Sequence, residues 1–504
     1  MDLVSLAELG GALARLADPL VLGWVLVGVA VGAVFGAAPG LTATAGVALA
    51  TPLTFGLGFE ASMALLLGLY CAGYFAGSIP AILVNTPGAP GNAATALDGY
   101  AMAQSGRADL AIGLAVISSF IGGVVSAAVL MVFAPILAGF ALEFTSVEYF
   151  TLALFGLTCV AAVSRGSLTK GLIAAVLGML LGTVGIDPVG GMSRFTLGLP
   201  QLLSGVSLLP ALIAFFAVTE ILAQAAGPAA AVNLPVQRSV RLRELLPVYL
   251  RHKWLVLKSA AIGTGIGILP GTGPTIASWI SYGEAARGAR GEPPKGEAFG
   301  QGAPAGVIAP EVANNAVTGG ALVPLLTLGI PGDTVTAVLL GALLIQGIDP
   351  GPFFIVAQGE LFALLLLILV AANLVVLALG LGLRRYLPAI LRVPPRILIP
   401  TIGVLCATGG FAIGNAAFDV ALIAVLGLAG FVLTCFGFPM APLVIGLVLG
   451  PIVEVNLRNA LIANQMDPTV FVTRPISAAL LLALVAVLVV AWRRFAADRS
   501  AGSP

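Results

Sequence analysis

Charge is what this 504-residue sequence lacks. Lys, Arg, Asp and Glu make up 9% of it, against roughly 25% in an ordinary soluble domain. The 23 basic and 22 acidic residues nearly cancel, leaving a net charge of +1. So few charges cannot clothe the exterior of a soluble chain this long. A soluble enzyme and a disordered scaffold are excluded. A nucleic-acid binder is excluded too, because that function needs a basic stripe on a folded face. Histidine occurs once, as His252 between Arg251 and Lys253, with no partner at metal-ligand spacing. The four cysteines (Cys71, Cys159, Cys406, Cys435) sit in apolar stretches and form no Cys-x-x-Cys pair, which fits buried structural thiols. No Gly-Lys dipeptide occurs, so there is no Walker A loop and no ATP-driven motor. His-Glu-x-x-His and Gly-x-Ser-x-Gly are also missing. Gly263-Thr264-Gly265-Ile266-Gly267 is glycine-rich, but no strand precedes it and the dinucleotide spacing is incomplete. No cleavable signal is expected at the N-terminus, where Asp2, Glu8 and Arg15 precede the first long apolar run.

What the sequence does have is apolar length. Hydrophobic residues are 59% of it. Alternating ten-residue strands between polar turns are absent, which argues against an outer-membrane barrel. The expected fold is an all-α polytopic membrane protein. A crossing needs about 20 apolar residues. Runs of that kind lie at 19–35, 61–83, 110–134, 147–163, 168–186, 206–226, 254–269, 312–330, 361–383, 397–413, 420–436, 440–453 and 476–492. About a dozen crossings are expected, because broken segments blur a hydropathy count. Thirteen of the 23 basic residues fall in three stretches: 238–258, 384–396 and 493–499. The positive-inside rule predicts that all three, the C-terminus and central linker included, are cytoplasmic. Trp254 and Trp492 flank two of them as interfacial anchors should.

An ordered series of landmarks recurs. Gly36-Ala37-Ala38-Pro39-Gly40-Leu41-Thr42 is answered by Gly267-Ile268-Leu269-Pro270-Gly271-Thr272-Gly273. Asn85-Thr86-Pro87-Gly88 is answered by Gly329-Ile330-Pro331-Gly332. A third match is read between Gly178–Gly182 and Gly446–Gly450, both small-x-x-x-small contacts. This predicts two homologous repeats, 1–232 and 254–504, joined by a basic linker at 233–253. An inverted relation is expected, with re-entrant pieces at the Pro-Gly motifs. Interrupted hydrophobic segments at matching positions in two halves point to a transporter's binding site.

Proline ends a helix and glycine permits close approach. A break inside lipid survives only where protein or a watery cavity satisfies the freed backbone groups. The next half-helix then aims its N–H groups and the positive end of its dipole at the cavity. Thr42, Thr86, Thr272, Thr275 and Thr334 add hydroxyls; Asn85, Asn92, Asn314 and Asn315 add amides. Such groups can hold carboxylates without fixed cations, and freed carbonyls can hold Na⁺. The candidate substrate site is therefore Pro39, Gly40, Thr42, Asn85, Thr86, Pro87, Gly88, Pro270, Gly271, Thr272, Gly273, Asn314, Asn315, Pro331, Gly332 and Thr334. Asp333 and Asn85 are candidates for ion coupling. No metal other than Na⁺ is expected. The two Pro-Gly tips, Asn85–Gly88 and Gly329–Gly332, are expected to approach one another near the midplane. Asp98-Gly99-Tyr100 reads as a solvated turn. Asn373 reads as structural hydrogen bonding, Glu220 and Asp419 as polar packing or proton handling, and Glu454 with Arg458 as an i, i+4 ion pair.

These motifs resemble the large membrane subunit of the tripartite tricarboxylate transporter family, the TctA type. The resemblance rests on Pro39-Gly40, on Ile82–Gly88, on Leu97-Asp98-Gly99-Tyr100 and on Pro270–Gly273. It also rests on Phe299-Gly300-Gln301-Gly302, Ala309–Ala316 and Leu328–Gly332. It implies a bacterial inner-membrane permease importing carboxylates such as citrate. It implies a small four-helix membrane partner, a periplasmic substrate-binding protein, and an Na⁺ or H⁺ gradient, with no other cofactor. Asp333 stands where the family's pattern carries a small hydroxyl residue. A passive channel would instead show a ring of like charges or a carbonyl filter. A membrane-embedded enzyme would need catalytic clusters that are missing.

Overall fold

The computed structural model describes residues 5–38, 40–163, 167–226, 244–288 and 298–501. Pro39, the linker residues 227–243 and the polar loop 289–297 therefore lie outside the described residues.

Helices follow the apolar runs closely. The first half comprises α1 (Leu6–Leu16), α2 (Pro19–Ala37), α3 (Ala43–Ala50), α4 (Phe59–Ala76), α5 (Ser78–Val84), α6 (Ala93–Gln104), α7 (Ala108–Ala141), α8 (Ser146–Val163) and α9 (Leu168–Gly182). A two-stranded hairpin follows, β1 (Gly185–Ile186) against β2 (Ser193–Arg194). Next come α10 (Leu208–Leu212), a π-helical turn (Ile213–Val218) and α11 (Thr219–Ala226). The second half has α12 (Leu246–Arg251), α13 (Lys253–Ile268), α14 (Gly273–Gly288), α15 (Ala305–Leu328), α16 (Thr334–Ile345), α17 (Pro352–Ala357) and α18 (Gly359–Leu383). It closes with α19 (Pro395–Gly414), α20 (Ala417–Cys435), α21 (Met440–Ala463), α22 (Val470–Thr473) and α23 (Pro475–Ala501).

Among the described residues, nine helices are long and apolar enough to cross a membrane, and four shorter apolar ones accompany them. The run 168–186 ends as helix at Gly182, because its last residues enter the hairpin. The run 312–330 starts as helix earlier, at Ala305, and Pro310 and Pro324 are carried inside it.

Small residues set the helix spacing. A Cβ at Gly28, Gly32 or Gly36 of α2 would stand within 2.5 Å of the carbonyl oxygens of Leu65, Leu69 or Gly73 of α4. The contacts ascend together, so α2 and α4 run parallel, with α3 folded back between them. In the second half Gly263 and Gly267 of α13 meet Ala313 and Gly320 of α15 in the same sense. The two pairs oppose each other. Asn314 of α15 bonds to the Tyr74 carbonyl of α4, whereas Met63 and Leu67 lie beside Leu322, Leu325 and Leu326. Thus α4 and α15 are antiparallel.

The local geometry matches as well. Asn85 and Gly329 both end a helix in the left-handed region, at φ 55° and 68°. The next residue's N–H returns to a proline carbonyl in each case: Thr86 to Pro80 and Ile330 to Pro324, both 3.3 Å. A Cβ at Gly88 would meet the Gly36 oxygen at 2.1 Å and Gly77 at 2.8 Å; at Gly332 it would meet the Gly267 oxygen at 2.7 Å and Ala321 at 2.6 Å.

The third landmark pair corrects the sequence reading. Gly178 packs on the Leu443 carbonyl and Gly446 on the Ala175 carbonyl, so α9 and α21 are parallel neighbours. Counterparts of an opposed pair of halves would run antiparallel. Gly178–Gly182 and Gly446–Gly450 resemble each other because each is the other's packing surface.

Two of the basic stretches meet at one end of the bundle. Arg384 pairs with Asp109 at the start of α7, and Tyr249 bonds to Leu114 a turn further in. At the other end the hairpin is held by charges. Arg194 grips Glu454 through two bonds of 2.5 and 3.1 Å, and Arg458 takes Asp187 at 2.7 Å. The Glu454–Arg458 contact is longer, 3.5 Å. The expected i, i+4 pair is thus one edge of a four-residue cluster, because each member has a shorter partner from the hairpin.

Candidate functional site

Three helices begin at one place between the halves. Thr42 caps α3, its Oγ1 accepting from the Ala45 N–H. Asp333 caps α16, its Oδ1 accepting from the Thr336 N–H at 2.7 Å and from the Thr336 hydroxyl at 2.8 Å. At α14 the Gly271 N–H bonds to the Gly332 carbonyl at 2.8 Å, and Pro274 sits in the first turn. A fourth start, the 3₁₀ turn Pro90–Asn92 leading into α6, lies beside them. Their tips enclose a cavity of about 420 Å³.

The cavity wall is rich in hydroxyls. Thr42, Thr44, Thr272, Thr275, Thr334 and Tyr74 line it, joined by Thr219 and Thr434. Thr44 and Thr334 share a hydrogen bond of 2.9 Å across the halves. Phe215 and Phe216, on the π-helical turn, give an apolar side with Val160, Phe438 and Met440. A π-turn displaces side chains from the α-helical register, and this one brings aromatic rings and Thr219 to the cavity. Glu220 and Asp333 are the ionisable carboxyls of the lining, which contains no Lys, Arg or His among the described residues.

Asp333 does not present a bare charge. It is buried, and its second oxygen accepts from the Tyr70 and Tyr74 hydroxyls at 2.6 Å each. Charge-assisted bonds of this kind are roughly twice as strong as neutral ones. With the α16 N-terminus they engage both oxygens, so the carboxylate acts as a cap that joins α4 to α16.

The structure gathers Thr42, Gly271, Thr272, Gly273, Asp333 and Thr334 around the cavity. It leaves others out. Asn85 and Thr86 are exposed at the end of α5, away from the lining, with Pro87 beside them. Gly88 and Gly332 are buried in helix contacts, so the glycines serve packing rather than ligand approach. The two Pro-Gly tips therefore do not form one wall. Gly40 lies just behind the lining, its carbonyl accepting from the Gln224 amide. Pro270, Pro331, Asn314 and Asn315 are buried outside it: Asn314 on the Tyr74 carbonyl, and Asn315 on Ser119. Pro39 lies outside the described residues.

Sequence reasoning missed Thr44, Tyr70 and Tyr74. Two tyrosines at i, i+4 in an otherwise apolar helix were the available signal. It also misplaced Asp98, which is not in a solvated turn. Asp98 is fully buried in α6, and its Oδ1 accepts from the N–H groups of Gly300, Gly302 and Ala303 at 2.8–2.9 Å. The Tyr282 hydroxyl takes its other oxygen. The Leu97–Tyr100 and Phe299–Gly302 motifs are thus two sides of one joint. Asn373 bonds to the Leu369 carbonyl and fills the notch left by Gly123, a structural role.

A bundle of this kind, with apolar crossings and broken helices meeting in its interior, is an all-α polytopic membrane protein. The chain belongs to the tripartite tricarboxylate transporter TctA family, whose sequence profile matches residues 22–445. An uncharacterized 52.8 kDa protein of the TAR-I ttuC' 3' region of Agrobacterium vitis is 39% identical over 497 residues, 97% of this chain and 96% of that protein. An uncharacterized protein of the TAR-II ttuC' 3' region of the same organism is 43% identical over 227 residues, 45% of this chain and 92% of that one. No solved structure matches the chain. The family is one of membrane transporters made of three components.

Proposed function

We propose that this chain is the large permease subunit of a secondary active importer of carboxylates, with the 420 Å³ cavity as its substrate site. One observation carries the reading: the N-termini of α3 and α14, with Thr334 in the first turn of the Asp333-capped α16, converge on a hydroxyl-lined space between two opposed halves. An anionic group entering lipid needs solvation. The N-termini of α3 and α14 and the hydroxyls supply it, since no Lys or Arg lines the wall among the described residues. The opposed directions of α2/α4 and α13/α15, with their matched glycine contacts, support an inverted pair of repeats about this site. Family membership supports delivery by a periplasmic binding protein and association with a small four-helix membrane subunit. It also supports a bacterial inner-membrane location. The basic ends support a cytoplasmic linker and C-terminus. Citrate and related di- and tricarboxylates are the substrate class, and an Na⁺ or H⁺ gradient is the energy source.

The test is uptake of radiolabelled citrate and a panel of smaller carboxylates by proteoliposomes holding both membrane subunits. Uptake that requires the binding protein and an imposed ion gradient is expected. Equal uptake in de-energised vesicles without binding protein rejects the reading.

A further inference from the structure

Behind the cavity lies a carboxyl group that the substrate site does not use. Glu311 sits within α15 and is 0% exposed. Its Oε1 accepts from the Thr95 hydroxyl at 2.6 Å and from the Asn92 amide at 3.1 Å; its Oε2 accepts from the Ser119 hydroxyl at 3.3 Å. Every one of these donors is neutral. Among the described residues, no Lys, Arg or His is bonded or ion-paired to Glu311. An isolated carboxylate away from water is costly, and taking up a proton is the ordinary relief.

We propose that Glu311 is the proton-binding group through which cavity occupancy is coupled to a proton gradient. This rests on the transport reading above and adds the ion and the residue.

The surroundings suit a proton. Hydroxyls of Thr95 and Ser119 can donate to a carboxylate or accept from a carboxylic acid, so both states can be satisfied. A sodium ion would need more oxygens facing the carboxylate than the Thr95 and Ser119 hydroxyls. Asn92 instead turns its amide N–H₂ to both Glu311 and the Tyr74 carbonyl, 3.1 and 3.0 Å away. Its Oδ1 points elsewhere, buried and without a hydrogen-bond partner. Flipping the amide would set that oxygen against two acceptors.

Other titratable groups on the elements around α15 are engaged elsewhere. Asp98 of α6 is held by three backbone N–H groups and by Tyr282 of α14. Asp109 of α7 pairs with Arg384, and Arg107 contacts Ser105 and Gly302. Lys258 of α13 and Arg287 of α14 both meet Glu284. Lys253 lies over the Trp254 ring. Tyr70 and Tyr74 of α4 serve Asp333, and Cys71 contacts Asn373. Tyr249 of α12 bonds to Ser118 and Leu114 and, of these groups, lies close enough to Glu311 to interact with it electrostatically.

The link to substrate is a three-residue segment. Pro90 and Gly91 line the cavity, and the next residue is Asn92. A ligand that displaces this turn moves a donor away from or toward Glu311. Tyr74 adds a second link, since it lines the cavity and its carbonyl anchors Asn92. Occupancy of the cavity and protonation of Glu311 therefore bias each other, by reciprocal linkage.

Two measurements test this. In proteoliposomes holding both membrane subunits and supplied with binding protein, a one-unit inward proton gradient supports about tenfold accumulation of radiolabelled carboxylate per coupled proton. Glu311→Gln loses that accumulation and keeps substrate exchange. Accumulation by the variant equal to wild type, or wild-type accumulation driven by Na⁺ alone, overturns the proposal. The second measurement needs no substrate: infrared difference spectra of the purified wild-type complex between alkaline and acidic buffer. A buried carboxylic C=O band is expected, absent in Glu311→Gln and shifted in Ser119→Ala. The Ser119→Ala arm serves if Glu311→Gln fails to reach the membrane. No band, or a band that neither variant changes, overturns the proposal. If wild type transports no carboxylate under any gradient, the transport reading fails, and the infrared arm alone decides whether Glu311 binds a proton.

Discussion

Thr44 and Thr334 stand 290 residues apart in sequence and share a hydrogen bond of 2.9 Å. Each lies in the first turn of a short helix, one from each half, and both line the cavity. In the proposed substrate complex a carboxylate would accept from these hydroxyls in place of the single hydrogen bond they now share. Thr334→Val keeps the shape and removes the donor. Substrate affinity should fall by about 1.5–3 kcal/mol, the worth of a hydrogen bond to a charged group. Isothermal titration or counterflow kinetics reads it; unchanged affinity with normal insertion removes Thr334 from the site.

Asp333 should behave as a structural clasp. Tyr70→Phe and Tyr74→Phe each delete one bond to its Oδ2. Each should lower thermal stability in detergent by about 1–3 kcal/mol. The double variant should cost more than the sum, because only it leaves the buried oxygen without a donor. Additive losses contradict a shared acceptor.

Gly88→Ala and Gly332→Ala should damage folding before they damage binding. The added methyl groups would stand 2.1 Å and 2.6 Å from neighbouring backbone. Forcing helices apart in this way costs typically 1–3 kcal/mol or more. Reduced yield and a lower melting temperature in detergent are expected. A stable variant with only weakened substrate affinity would return these glycines to the binding site.

Arg458 beside Asp187 holds that carboxyl at a pKa of about 2, below its ordinary value, helped by the Val189 and Gly190 N–H groups. A depressed acid stabilises the folded state above its unfolded pKa, near 3.9. That contribution is lost as pH falls from there through about 2. The hairpin should therefore stay docked at neutral pH and loosen only in strong acid. Asp187→Asn should loosen it at neutral pH, seen as faster proteolysis within 188–192. An unaltered cleavage rate would show that the Arg194–Glu454 contacts suffice.

Single cysteines in place of Tyr386 and Arg493, in a background without native cysteines, report sidedness. An impermeant thiol reagent should label both only after intact spheroplasts are permeabilised. Labelling of both from outside reverses the orientation.

Most helices were legible because lipid demands long apolar runs, but about a dozen crossings were expected and, among the described residues, nine helices are long and apolar enough. The helices α13 and α15, at the runs 254–269 and 312–330, are not among them, and the short α3 and α16 were not read as runs. The Pro-Gly motifs announced the breaks, and Thr42, a cap, and Thr334, the residue after the Asp333 cap, were found because helix starts follow breaks. Which side of a break faces the cavity was not legible. Asn85–Gly88 and Pro331-Gly332 share a backbone geometry, yet they close helix against helix. The true lining comes from the residues that follow such breaks and from the remote Phe215–Glu220 turn. Tyr74 and Thr44 were missed because their partners are distant in sequence. Asp98 was misread because Gly99 and Tyr100 suggest a turn, whereas three amides 202–205 residues away bury the carboxylate.

The opposed backbones also carry an energetic corollary. Two halves of equal build, run in opposite directions, would be indifferent to which face of the membrane the cavity opens toward. Trading their conformations would return the same molecule upside down. Only residues without a counterpart can break that degeneracy. In the register that pairs Gly88 with Gly332 and Gly77 with Ala321, Asp333 falls opposite Ala89, and Glu311 opposite Leu67. In a transport cycle of the kind proposed above, these two acidic side chains and their hydroxyl donors would be among the groups that set a resting preference, since the opposite position in each case carries an apolar residue.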